Sequence, residues 1–253
     1  MQILLTLAYD GTEYAGWQRQ QNAIAVQQRL EEALSALYCQ SITTKAPSRT
    51  DAGVHALCQR AAFFVDETRI PIGKLPQVLN GYLPRDISVS AAEVVPDSFN
   101  PRFDAMYKTY AYSIYNAPTP NPLYSRYSAH EPRSMNVEAM KNAASMLIGQ
   151  HDFAAFQSTG SSAKNTVREI YALDIITDKP PGMVTMIVTG NGFLYNMVRI
   201  IAGTMMYVGI GKLRAHSIPR IILSCDRARA GKTMPPQGLT LLEVGYTKYR
   251  QLE

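Results

Sequence analysis

Residues 43–65, TTKAPSRTDAGVHALCQRAAFFV, decide how the first half of this chain folds. Thr43–Ala46 and Gln59–Val65 are short runs of strand-forming residues. Between them lies Ser48-Arg49-Thr50-Asp51-Ala52-Gly53-Val54-His55-Ala56, which packs an arginine, a carboxylate and a turn glycine into five residues. Small residues around Asp51 let the backbone come close to a ligand, and Arg49 can hold a polyanion. The plainer alternative is a tight surface turn in which Asp51 caps its own backbone.

Outward from this loop the pattern is regular. Ile3–Tyr9 reads as a strand, and Val26, Leu30, Ala33, Leu34 and Leu37 recur at helical spacing with Gln and Glu on the other side. Leu75–Leu83 reads as a helix and Ile87–Val94 as a strand. The outline then repeats. Tyr107–Tyr115 is a strand, Val137, Met140, Ala144 and Leu147 mark an amphipathic helix, and Val167–Thr177 and Met183–Thr189 form a hairpin across Pro180-Pro181-Gly182. Tyr195–Val208 and Ser217–Ser224 read as helices, Leu239–Thr247 as the last strand, and 116–122 as a loop. Two βαββαβ units split near Asn100 predict an α+β fold of two ferredoxin-like (RNA-recognition-like) halves, residues 1–100 and 101–253.

Charge is unevenly placed. The chain carries a net +5, yet from Arg199 onward there are nine Lys and Arg against three Asp and Glu. A basic C-terminal third suits a phosphate-rich partner, although a solvated basic face would look the same. Cys39, Cys58 and Cys225 are scattered and odd in number, which argues for a reducing cytoplasm and against disulfides or a zinc site. The four histidines have no ligand spacing, so no metal is expected. Gly192–Gly211 is apolar and long enough to span a bilayer, but Arg199 near its centre would be costly in lipid, so a buried helix and no membrane association are expected.

Nucleotide chemistry is excluded on similar grounds. Gly231-Lys232-Thr233 looks like the end of a P-loop, but position 226 is Asp226. Gly190-Asn191-Gly192 is followed by Tyr195 where a dinucleotide fingerprint needs glycine. The HxE and PCxxC set of a base deaminase is absent. No nucleotide cofactor is therefore expected.

YDGTEYAGWQ at 9–18, the Asp51 loop, KTYAYSIYN at 108–116, GNGFLYNMVRIIAG at 190–203 and PPQGLTLLEVGY at 235–246 form an ordered set. Together they resemble the tRNA pseudouridine synthase A family over nearly the whole chain. The resemblance implies isomerisation of uridines to pseudouridine in the anticodon stem-loop of tRNA. It also implies two sheets joined in one mostly antiparallel platform with helices on one side, a catalytic cleft between the domains, and a homodimer. The reaction breaks N1–C1′, turns the base and rejoins it through C5, with no net redox change and no hydrolysis, so no cofactor is expected.

Residue roles follow from the same resemblance. Asp51 becomes the catalytic carboxylate, acting by attack on sugar or base or by abstracting a sugar proton. Arg199 is the sole charge in an otherwise burial-fit helix, and a buried guanidinium needs an anion. The family pattern makes that anion Asp51, whose charged form the pair would favour; snorkelling, or a pair with Glu243, is the alternative. Tyr110 matches the family's base-stacking tyrosine, Arg49 enters the helical stack to expel the target base, and His55 either meets phosphate or completes the loop. Leu239 or Leu241 packs on the flipped base, Tyr112 reads as a core residue, and Trp17 and Gln18 as either functional or packing. Ala155 stands where serine is common in the family. Substrate breadth is referred to the loop around 158–164. The rival reading is a non-catalytic RNA-binding protein with two recognition-like sheets.

Overall fold

The computed structural model describes residues 1–160, 165–178 and 180–249. Its elements in chain order are β1 (Gln2–Tyr9), α1 (Val26–Tyr38), β2 (His55–Phe64), α2 (Leu75–Asn80), β3 (Ile87–Val95), β4 (Tyr107–Asn116), β5 (Ala129–Glu131) and α3 (Val137–Ala144). They continue with β6 (Gly149–Asp152), β7 (Val167–Asp178), β8 (Met183–Gly190), α4 (Met197–Gly209), α5 (Ile218–Ser224) and β9 (Leu239–Gly245). The fold is α+β with mostly antiparallel pairing, as expected from the sequence.

The chain packs as two units. The first is Met1–Met106 with Thr240–Thr247; the second is Tyr107–Leu239 with Lys248 and Tyr249. The sequence reading had cut at Asn100 and assigned everything after it to the second half. In the structure the turn after Asn100 stays with the first unit, because Asp104 Oδ2 accepts the Asn100 amide and the Met106 amide donates to Gly245 O of β9.

In the first unit β1 is central and antiparallel to both β2 and β3, with Ile3 opposite Phe63 and Val94. β9 adds in parallel at the start of β2, pairing Thr240 with His55 and Leu241 with Ala56. Ile3, Leu5 and Leu7 alternate along β1 with no exposure, and together with Leu30 and Leu34 of α1 they are among the largest fully buried side chains.

One expected strand did not form. Thr43–Ala46 contributes only an isolated bridge from Lys45 to Ala62. The cause lies in α1, whose Gln27 and Glu31 were expected on the polar side but are buried. Glu31 Oε1 accepts the Thr44 amide at 2.8 Å, and Gln27 donates to Thr44 O at 2.9 Å. With both main-chain groups of Thr44 spent on the helix, only Lys45 remains for a ladder partner.

In the second unit β4, β8, β7 and β6 pair antiparallel in that order, and β5 lies parallel to β4. The 167–189 hairpin forms as expected, with Gly182 at φ +88° in its turn. α4 is enclosed along most of its length, including Ile200, Ile201, Met205 and Met206. Residues 161–164 of the loop linked to substrate breadth lie outside the described residues. No helix among the described residues is long and apolar enough to cross a membrane.

Candidate active site

The Asp51 loop is held by main-chain bonds to the 9–18 segment. The Trp17 amide donates to Thr50 O at 3.0 Å, and the Gly53 amide donates to Tyr14 O at 3.3 Å. Val54 N–H closes the turn onto Asp51 O at 3.1 Å. Side chains complete the fastening: the Tyr9 and Thr50 hydroxyls share a hydrogen bond of 2.8 Å, and Gln59 donates to Ser48 O. Asp51 itself is half-buried, while Arg49 is exposed two residues earlier. The arrangement fixes a carboxylate on a rigid loop and leaves a cation free to reach outward, which is what preorganised chemistry on a bulky substrate requires.

Two glycines make the close packing possible. A Cβ on Gly11 would stand 2.0 Å from Val54 O, and one on Gly16 2.5 Å from Thr50 O. Gly16 also has φ +88°, where other residues are strained. Gly16→Ala should therefore lower stability by about 2–4 kcal/mol through strain and overpacking together. Urea denaturation checks this, and a variant as stable as wild type would show that the loop shifts without cost. The 9–18 motif thus acts as the seat of the Asp51 loop. Paired glycines five residues apart, in the run that holds Tyr14 and Trp17, were the available sequence signal, and Trp17, 1 % exposed, is a packing residue.

His55 is buried at the start of β2 and completes the loop. Its Nδ1 lies 3.0 Å from the Gly11 amide nitrogen and 3.2 Å from Asp10 Oδ1. Asp10 in turn accepts from the Thr12 amide and hydroxyl, tying the turn together. Nearby, Tyr14 donates to Asp86 Oδ1 at 2.7 Å, and burial first, then that bond, pushes its hydroxyl pKa well up. Leu241 follows on β9 with no exposure.

The second unit carries Arg199, Tyr110 and Leu239. Arg199 is half-buried on the first turn of α4. Its Nε donates to Met234 O and its Nη1 to Asn196 Oδ1, each at 2.7 Å. Asn196 sits at the left-handed φ of 61°, which asparagine tolerates, and its amide donates onward to Ser158 Oγ at 3.0 Å. The guanidinium is thus aimed by two bonds rather than snorkelling. Asn196 and Met234 as its orienting partners were not read from sequence; Asn196 lies one helical turn away, Met234 is distant in the chain.

Tyr110 on β4 is 8 % exposed and meets Phe193 edge-on, with ring centroids 5.3 Å apart. Tyr112 is a core residue as expected: it is fully enclosed, donates to Pro235 O at 2.7 Å, and packs where a Cβ on Gly238 would stand 2.6 Å from its ring. Leu239 is 7 % exposed. Among the described residues no cluster of three or more His, Cys, Asp or Glu could hold a metal ion.

A family model described as tRNA pseudouridine synthase matches residues 6–104 and 143–247. The tRNA pseudouridine synthase A of Ruminiclostridium cellulolyticum is 47% identical over 244 residues, spanning 96% of this chain and 99% of that protein. Its counterpart in Thermoanaerobacter sp. (strain X514) is 45% identical over 244 residues, again 96% of this chain and 99% of that protein. That of Geotalea uraniireducens is 45% identical over 245 residues, 97% of this chain and 99% of that protein.

Proposed function

As the chain belongs to the tRNA pseudouridine synthase family, we propose that its Asp51 supplies the carboxylate for the reaction and that the target uridines lie in the anticodon stem-loop. The protein is an isomerase that converts uridine in tRNA to pseudouridine. In that reaction N1–C1′ breaks, C5–C1′ forms, the C5 proton is released and N1 ends protonated. No hydride, phosphate or hydrolytic water is consumed. One carboxylate near the sugar–base junction, in a site closed to water, suits moving a base; glycosidases that lose the aglycone to water use two.

The observation that carries the assignment is the seating of the Asp51 loop: Thr50 O, Gly53 N–H and Asp51 O are each held by a main-chain hydrogen bond, and the carboxylate is half-buried on it. Arg199 is the cation we assign to keep that carboxylate ionised, supported by the two bonds that aim its guanidinium. Tyr110 is assigned to stack on the extruded base, and Arg49, exposed and beside Asp51, to take the base's place in the stack. Leu239 is preferred to the fully enclosed Leu241 for packing on the base. His55 acts through the loop it fastens. A homodimer in the cytoplasm completes the proposal, the first supported by the family resemblance and the second by three free, scattered cysteines.

Tritium release from tRNA labelled at uridine C5 tests the activity directly. Release at substoichiometric enzyme is the expected result. Tight tRNA binding with no release would leave an RNA-binding protein in its place.

A further inference from the structure

Three cations gather around Tyr207 on the second unit's α4, and a fourth, Lys232, lies with one of them, Arg133, about Glu131. The Lys212 ammonium lies over the Tyr207 ring, 4.0 Å from its centroid, while the Lys212 amide donates to Tyr207 O. Arg133 and Arg227 both lie within electrostatic reach of the Tyr207 hydroxyl. The Lys232 main chain rests on the same helix, its carbonyl where a Cβ on Gly203 would stand 1.9 Å away, and its ammonium lies within electrostatic reach of Glu131. The Gly231 amide donates to the Thr204 hydroxyl and pins that approach.

These charges are poorly neutralised. One carboxylate, the buried Glu131, serves two of them: Arg133 holds it with contacts of 2.7 and 3.0 Å, and Lys232 acts on it from beyond ion-pair distance. Lys212, Arg227 and Lys232 have no carboxylate within ion-pair distance among the described residues. Arg227 is half-buried all the same, its guanidinium turned onto Gly231 O and the Thr233 hydroxyl. Burial pulls its pKa down, yet a guanidinium stays charged at neutral pH. A partly desolvated cation among others of like sign is unfavourable until an anion arrives. Solvent-exposed lysines on either side, and a tyrosine hydroxyl, give that anion room and donors.

We propose that the Tyr207 cluster, formed by Arg133, Lys212, Arg227 and Lys232, binds backbone phosphodiesters of the tRNA. The proposal rests on the tRNA reading above and names a surface of the second unit that takes up part of the substrate away from the reacting base. Its role is affinity rather than chemistry. Contacts of this kind release counterions, so each contributes to the salt dependence of binding.

The test pairs Lys212→Gln with Lys232→Gln, since both side chains are exposed and neither makes a close ion pair among the described residues. The log of tRNA Kd plotted against log NaCl should lose about 1.5 from its slope. KM for tRNA should rise about fivefold at moderate salt with kcat unchanged. A control, Arg29→Gln with Lys141→Gln, removes the same charge from residues already paired on helices with Glu32 and Glu138. Its slope should match wild type. Equal slopes for all three proteins, or an equal loss in the control, would overturn the proposal. Because slopes are read from binding alone, a wild type that binds tRNA without releasing tritium would defeat the catalytic reading and leave this one testable. Normal tritium release with an unchanged slope would defeat this one only.

Discussion

Asp51→Asn is expected to lower tritium release from C5-labelled tRNA by at least about a thousandfold, with tRNA affinity held within about twofold. The substitution keeps the side chain's size and removes its charge and basicity. The loop should survive it, because the bonds that seat it run through Thr50 O, Gly53 N–H and the Asp51 carbonyl, together with the Thr50 hydroxyl and Ser48 O. Unfolding free energy should stay within about 1 kcal/mol of wild type. Single-turnover rates at saturating enzyme separate chemistry from binding. A residual rate within about tenfold of wild type would remove Asp51 from the chemical step.

Arg199→Lys carries the second-largest expected effect, a fall of about a hundredfold in kcat with little change in KM. Charge is retained, so a role in bulk electrostatics would leave the rate nearly intact. What lysine lacks is the planar fork. The guanidinium reaches Met234 O and Asn196 Oδ1 at once and is held in one orientation by them. An ammonium on a flexible stem satisfies fewer of these acceptors and points less reliably, which lowers kcat without touching the RNA-binding surface. Loss of one such bond would cost about 1–3 kcal/mol of stability, so thermal unfolding should be followed in parallel. A kcat equal to wild type would show that position 199 needs only a positive charge. If Asn196→Ala reproduces part of the loss, the aim of the fork, rather than its charge, is confirmed as the operative property.

Elements with long, strongly periodic apolar patterns were legible from residues alone. β1, α1, the 167–189 hairpin and α4 emerged close to their observed bounds because burial on one face writes a period into the sequence. The three-residue β5 and the four-residue β6 are too short, and too polar at His130, Gln150 and His151, to write one. β2 begins at His55, four residues before its expected start, since His55 and Ala56 pair with β9 from the far end of the sequence. Thr43–Ala46 has strand chemistry but spends Thr44 on Gln27 and Glu31, a tertiary choice that propensity cannot reveal.

The site divides in the same way. The family resemblance singled out Asp51, whose loop alone reads equally well as a plain turn, and Arg199, which is also a local anomaly as the one charge in an apolar helix. Their supports were hidden. Gly11 and Gly16 matter through a loop some forty residues on, and Met234 through a carbonyl that any residue type could have offered.

The return of β9 to the first unit has a consequence for biosynthesis. A ribosome finishes residues 1–106 early, and Asp51 with them, yet the strand that pairs with His55 and Ala56 is translated only after the whole second unit. Until then that end of β2 presents unpaired main-chain groups beside the Asp51 loop. Vectorial synthesis therefore delivers the carboxylate first and its finished setting last. A nascent or prematurely terminated chain carries Asp51 without the completed sheet beside its loop, so the setting of that loop is finished only near the end of translation.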